Sequence, residues 1–145
     1  MTIQDQVILA QIDQAGIDFI KGFEGFSATV YSDVAGFPTV GYGHKLLPGE
    51  SYPDGITEAG ATALLASDVE PVSIAVATLA PQCNQNQHDA LCSFAYNLGA
   101  GSLRTMLGHG WADVPNQIPR WVHAGGVVVP GLVTRRAAEV ALFLS

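Results

Sequence analysis

The stretch IDFIKGFEGFSATVYSDVAGFPTVGYGH, residues 17–44, joins a helix to a glycine-punctuated hairpin and carries three polar side chains near the joint. Ile17, Ile20 and Phe23 recur every third position, which predicts one apolar helix face, and Gly25 stops the helix. Phe26 to Tyr31 has strand-forming residues, Ser32 to Gly36 has turn chemistry, and Phe37 to Tyr42 reads as a second extended piece. Glu24 therefore falls at the helix end, Asp33 in the turn and Thr39 on the returning strand. The hairpin brings the last two back towards the first.

Two carboxylates in unlike surroundings suit acid–base cleavage of a glycosidic bond. The acid must be protonated near neutral pH, and desolvation by Phe23 and Phe26 is the expected means of raising Glu24. Asp33, in a polar turn, is expected to stay ionised and to act as a base on water or as a nucleophile, depending on its distance from Glu24. Taken singly, Glu24 and Asp33 would be a helix-end charge and a turn residue; their joint spacing with Thr39 is what points to catalysis. His44, after the G-Y-G strand, is read mainly as a structural hydrogen-bonding group beneath the site. Gly41 and Gly43 allow close backbone approach or a bend.

At these residues the chain resembles the phage-type lysozymes or endolysins of glycoside hydrolase family 24. The likeness lies in FEGF, YSD and GFPTVGYGH, which keep the spacing Glu24, Asp33, Thr39, His44. It continues in QHDALCSFAYNLG at 87–99 and WVHAGGVVVPGLVTRRAAE at 121–139, so nearly the whole chain is covered. The resemblance implies a muramidase that hydrolyses the β-1,4 bond between N-acetylmuramic acid and N-acetylglucosamine in bacterial peptidoglycan. Glu24 would be the acid, while Asp33 and Thr39 would hold and activate the attacking water, with inversion. It also suggests that Arg135 or Arg136 packs towards the boundary between two lobes and holds carboxylates in place; solvated arginines are the alternative, and the sequence does not choose between the two residues. Release by a holin is implied in the same way.

Two other classes stay open. One is a non-catalytic cell-wall-binding or virion structural domain, whose mark would be loss of Glu24, Asp33 or Thr39, all of which are present. The other is a related glycan-cleaving enzyme, a chitinase or a lytic transglycosylase, which needs the acid but not the Asp–Thr pair.

The 145 residues, 48% of them apolar, are enough for one folding unit with a real core. The expected fold is α+β and lysozyme-like: a small hairpin lobe over about 17–56, a connecting helix over about 57–79, and a mainly helical lobe over about 80–145. Six Lys+Arg against 13 Asp+Glu give a net charge of −7, so long-range attraction to an anionic wall is not supplied by net charge; Lys21 and Lys45 are the local cations nearest the hairpin. No nucleic-acid partner is expected, and the chain reads as a monomer. The run Val7-Ile8-Leu9-Ala10 is too short for a signal peptide or a bilayer span, which needs about 20 apolar residues. The expectation is a protein held in the cytoplasm of the producing cell until its release to the wall, without stable membrane insertion and without an appended wall-binding module.

Cys83 and Cys92 are the only cysteines; if both lie on or beside the helix suggested by QNQHDALCSFAYN, their nine-residue separation puts them roughly 13 Å apart, beyond the ~7 Å that a disulfide tolerates. Two free thiols are expected. His44, His88, His109 and His123 show no paired ligand spacing, so no metal and no cofactor is expected. Thr57 is a helix N-cap candidate, and Pro71 predicts that its helix breaks or kinks near Glu70. Asn84 to Leu98 reads as the central helix, stopped by Gly99, followed by helices over Leu103–Leu107, Val114–Val122 and Leu132–Leu144. Ala95, Trp111, Trp121 and Phe143 are read as core.

Overall fold

The computed structural model describes residues 9–145; the reading of Val7 and Ile8 lies outside them. Helix α1 (Gln14–Glu24) begins at Asp13, whose carboxylate accepts from the Gly16 N–H, and buries Ile17 and Ile20. Gly25 ends it with φ +69, a conformation that costs a side-chain-bearing residue strain. Strands β1 (Ser27–Ser32), β2 (Pro38–Gly41) and β3 (His44–Lys45) form one antiparallel sheet in that order. Tyr31 pairs with Thr39, and Thr39 with Lys45, so Thr39 occupies the middle strand.

Helix α2 (Glu58–Leu79) is capped by the Thr57 hydroxyl and continues through Pro71, so of the expected break or kink the break does not occur. Val69 and Ser73 on either side of the proline are both buried. Tertiary packing of that face outweighs the lost backbone bond, and Pro71 and Ser67, whose carbonyl lies one turn earlier, are both exposed. By length and composition α2 would also cross a bilayer; here its Leu65, Val69 and Val76 are buried inside the protein.

Helix α3 (Gln85–Leu98) lies at the centre, packed on α1, α2, α4 (Ala100–Leu107) and α6 (Pro130–Leu144). A capping box between Asn84 and Gln87 starts it and Gly99 ends it. Two apolar clusters flank it. One joins Ile17, Ile20, Tyr42, Ala61, Leu65 and Val69 under the hairpin. The other gathers Phe94, Leu91, Leu103, Met106, Ile118 and Phe143 in the helical part. Each fully buried Ile, Leu, Val, Met or Phe among them contributes about 1.5–3 kcal/mol. Phe143 and Ala95 are buried, and the half-buried Trp111 and Trp121 pack on Phe143 and Phe94 respectively, as expected of core residues. Cys92 is buried, and both thiols are free.

The expected helix over 114–122 is instead a 3-10 turn (Trp111–Asp113), the four-residue α5 (Val114–Gln117) and a second 3-10 turn (Ile118–Arg120). Pro119 is the reason, since it has no N–H to donate to residue 115 and its ring crowds that carbonyl. A small hairpin of β4 (His123–Ala124) and β5 (Val127–Val128) follows. Gly125 (φ +59) and Gly126 (φ +81) form its turn, the backbone that a two-residue connection of right-twisted strands requires. Helix α6 starts at Pro130, two residues earlier than expected, because proline fits the first helical turn.

Candidate active site

A cleft of about 590 Å³ opens where the end of α1, the hairpin, α2 and α3 meet, and Glu24, Asp33, Thr39, His44 and Lys45 line it. The residues singled out in 17–44 thus share one cavity. Glu24, on the last turn of α1, sets Oε1 2.7 Å from Arg135 Nη1. The apolar enclosure expected for it is incomplete. Phe23 lies under the Arg135 guanidinium, whereas Phe26 is 44% exposed and packs on Tyr42.

Asp33 closes the hairpin turn on itself. Its Oδ1 accepts from the N–H groups of Phe37 (2.8 Å) and Ala35 (2.9 Å), and Lys45 Nζ lies 3.7 Å from Oδ2. The Phe37 N–H, then that of Ala35 and the Lys45 charge, hold its carboxyl below the usual carboxylate range, so it is ionised as expected. Thr39 is only 2% exposed, and its hydroxyl donates to the Phe37 carbonyl at 2.9 Å. With the proton committed there, its oxygen lone pairs are left to accept from a group in the cleft.

His44 is held from both sides: Nδ1 lies 2.7 Å from Asp68 Oδ2 and Nε2 3.0 Å from Glu50 Oε1. Burial alone would lower its pKa, but the hydrogen bonds and charges of Asp68 and Glu50 outweigh this and raise it. Glu50 is in turn lowered, first by the Leu47 N–H and then by His44. The imidazole thereby ties β3, the following loop and α2 together, which fits the structural reading of His44.

Of the two arginines, Arg135 is the one that touches Glu24. Its other nitrogens bind Ser93, with Nη2 3.2 Å from the carbonyl, and approach Glu139 Oε2 at 3.4 Å. Arg136 is fully buried one step away, on Asn97 (2.6 Å) and 2.8 Å from Glu139 Oε1, with Phe94 beneath it. Burial pushes the Glu139 carboxyl up and the two arginines partly offset it. Asn97, Asp68 and Tyr96 also line the cleft, and the sequence reading did not name them. A signal was there for α3: Asp89, Ser93, Tyr96 and Asn97 recur at helical spacing among the apolar residues Ala90, Leu91, Cys92, Phe94, Ala95 and Leu98. Among the described residues no group of three His, Cys, Asp or Glu side chains is placed to hold a metal ion.

Fold and cleft together define an α+β protein of the lysozyme-like class. Residues 21–139 match the phage lysozyme family model, and the chain belongs to that family. It is 42% identical to the endolysin of Bacillus phage PZA over 147 residues, covering 93% of this chain and 55% of that protein. It therefore spans about half the length of that relative. The endolysin of Salmonella phage P22 is 37% identical over 150 residues, covering 94% of this chain and 100% of its own length. Among solved structures, the muramidase domain of SpmX from Asticaccaulis excentricus superposes with a TM-score of 0.81 at 32% identity, over 93% of this chain and 98% of that one.

Proposed function

We propose that the protein is an endolysin of muramidase type, hydrolysing the β-1,4 bond between N-acetylmuramic acid and N-acetylglucosamine in bacterial peptidoglycan. The observation that carries the reading is the convergence of Glu24, Asp33 and Thr39 on one cleft, with Arg135 on the first and a backbone-bonded turn around the second. Glu24 protonates the leaving glycosidic oxygen. The ionised Asp33 takes a proton from water while Thr39, accepting from that water, aims it at the anomeric carbon from the opposite face. Attack by water on that face inverts the anomeric configuration. His44 and Arg136 support the site without touching substrate.

Endolysin homologues of similar sequence support peptidoglycan as the substrate. A monomer, held in the producing cell until a holin admits it to the wall, completes the reading and rests on the resemblance. The test is digestion of purified peptidoglycan with product analysis by mass spectrometry and NMR. Reducing muramic acid ends of inverted configuration are expected. Anhydro ends would mean a lytic transglycosylase, and the absence of cleavage a wall-binding domain. Glu24→Gln is expected to lose at least about a hundredfold in rate with its fold intact.

A further inference from the structure

We propose that Tyr96 is a positioning residue for Glu24: its hydroxyl, bonded to the Tyr42 carbonyl, fixes the Tyr42–Gly43 turn as the wall against which Glu24 Oε2 is set. The inference rests on Glu24 being the acid. Tyr96 Oη donates to the Tyr42 carbonyl at 3.1 Å, across 54 positions of sequence. Tyr42 is buried and anchored by its own hydroxyl to Glu58 Oε1 at 3.2 Å. The turn is thus tied at its backbone by α3 and at its side chain by α2.

Gly43 is where the three groups meet. Its φ is +80, and a Cβ added there would lie 3.0 Å from Glu24 Oε2 and 3.7 Å from Tyr96 Oη. The bare Cα is therefore the surface facing one carboxyl oxygen, while Arg135 Nη1 takes the other. Burial, and then the nearby charge of Glu24, push the Tyr96 phenol well above its ordinary pKa, so it remains a donor at any working pH. Ser93, one turn earlier on α3, binds Arg135. One face of α3 sets both sides of the carboxylate. A tyrosine that only filled space would be served by its ring.

Tyr96→Phe keeps the ring and removes the hydroxyl. On soluble glycan strands, assayed below the variant's own melting temperature, kcat is expected to fall about tenfold or more while KM stays within about twofold. Gly43→Ala sets a methyl against Oε2 and is expected to lose more. Because both act through one turn, the double variant should lose less than the product of the two single losses. An unchanged kcat for Tyr96→Phe overturns the proposal, and so does a raised KM at unchanged kcat, which would make Tyr96 a glycan contact. Fully multiplicative losses would overturn the shared route. Glu24→Gln measured alongside separates the two levels. If it stays active, the reading of Glu24 fails; if it is inactive beside a fully active Tyr96→Phe, only the positioning role fails.

Discussion

Arg135 reaches back across 111 positions of sequence to place Nη1 2.7 Å from Glu24 Oε1. The last helix therefore fixes the end of the first. The guanidinium is 6% exposed and stacks on the Phe23 ring, the residue just before the carboxylate it binds. Its remaining nitrogens face Ser93 and Glu139, so its position does not depend on Glu24.

This geometry sets the expectation for Arg135→Lys. An ammonium is a point charge without the planar fork, and from α6 it can satisfy Glu24 or Ser93 but not both. Misplacing the carboxylate by a fraction of an ångström to an ångström costs between about tenfold and a hundredfold in turnover. The melting temperature is also expected to fall, because Glu139 is left buried with one partner fewer. Turnover at the wild-type rate in a folded Arg135→Lys variant would show that Glu24 is positioned without it.

Thr39→Val should separate turnover from folding. The Phe37 carbonyl that accepts from the Thr39 hydroxyl also accepts from the Asp33 N–H at 2.9 Å, so removing the hydroxyl leaves no buried acceptor orphaned. The stability cost is expected to stay below about 1.5 kcal/mol. Loss of the oxygen that orients water lowers kcat, with glycan binding nearly unchanged. Parallel losses in binding and turnover would make Thr39 a strand residue only.

Local signals carried much of this molecule. The three-residue apolar spacing and Gly25 mark α1 and its end, and the turn chemistry at 32–36 marks the turn that carries Asp33 to the cleft lined also by Glu24. The partners brought in by tertiary packing were not legible. Asp68 lies on α2 and Glu50 in a loop, and only the folded chain brings them to the two nitrogens of His44. The choice of Arg135 over Arg136 needed the rotation of α6 about its axis, which two adjacent arginines do not reveal. Gly125-Gly126 between short extended pieces is a hairpin signal for β4–β5, and Pro71 does not break α2 because the helix is packed on both sides of it.

His44 makes stability depend on pH from the alkaline side. Its folded pKa is raised, so its contribution is complete below the unfolded value of 6.5 and is lost as pH rises through the folded value. Glu50 has a lowered pKa, so its contribution is present above its unfolded value of 4.5 and is lost as pH falls. The cluster is therefore most stabilising between about pH 4.5 and 6.5. The melting temperature of the wild type is expected to decline above that window, and His44→Asn is expected to flatten the decline. An unchanged slope in the variant would assign the pH dependence elsewhere.

A second titrating site lies at the opposite end of α1, where the Asp89 side chain, 1% exposed, accepts from the Asp13 N–H at 3.4 Å and from Gln85 Nε2 at 2.9 Å. Asp13 is the N-cap of α1, and its N–H contact with Asp89 brings the two carboxyls together, so that the buried one is hard to ionise beside the other. Burial, and then Asp13, push Asp89 up to about 7, while Asp13 is lowered. The fit leaves no slack: a Cβ on Gly16 would lie 2.6 Å from Asp89 Cγ. Since the folded state holds the Asp89 proton more tightly than the unfolded chain, the contribution of Asp89 is full below its unfolded value of 3.8 and is lost as pH rises towards about 7. Asp89→Asn removes the charge that burial opposes and keeps an oxygen to accept from Gln85 and the Asp13 N–H. At pH 8 this variant is expected to melt several degrees above the wild type, one kcal/mol being worth about 4 °C in a chain of this size. At pH 4 the two should be nearly equal. Thermal denaturation of both proteins from pH 4 to 8 checks it, and a variant less stable than the wild type at pH 8 would show that the pair is stabilised as two carboxylates.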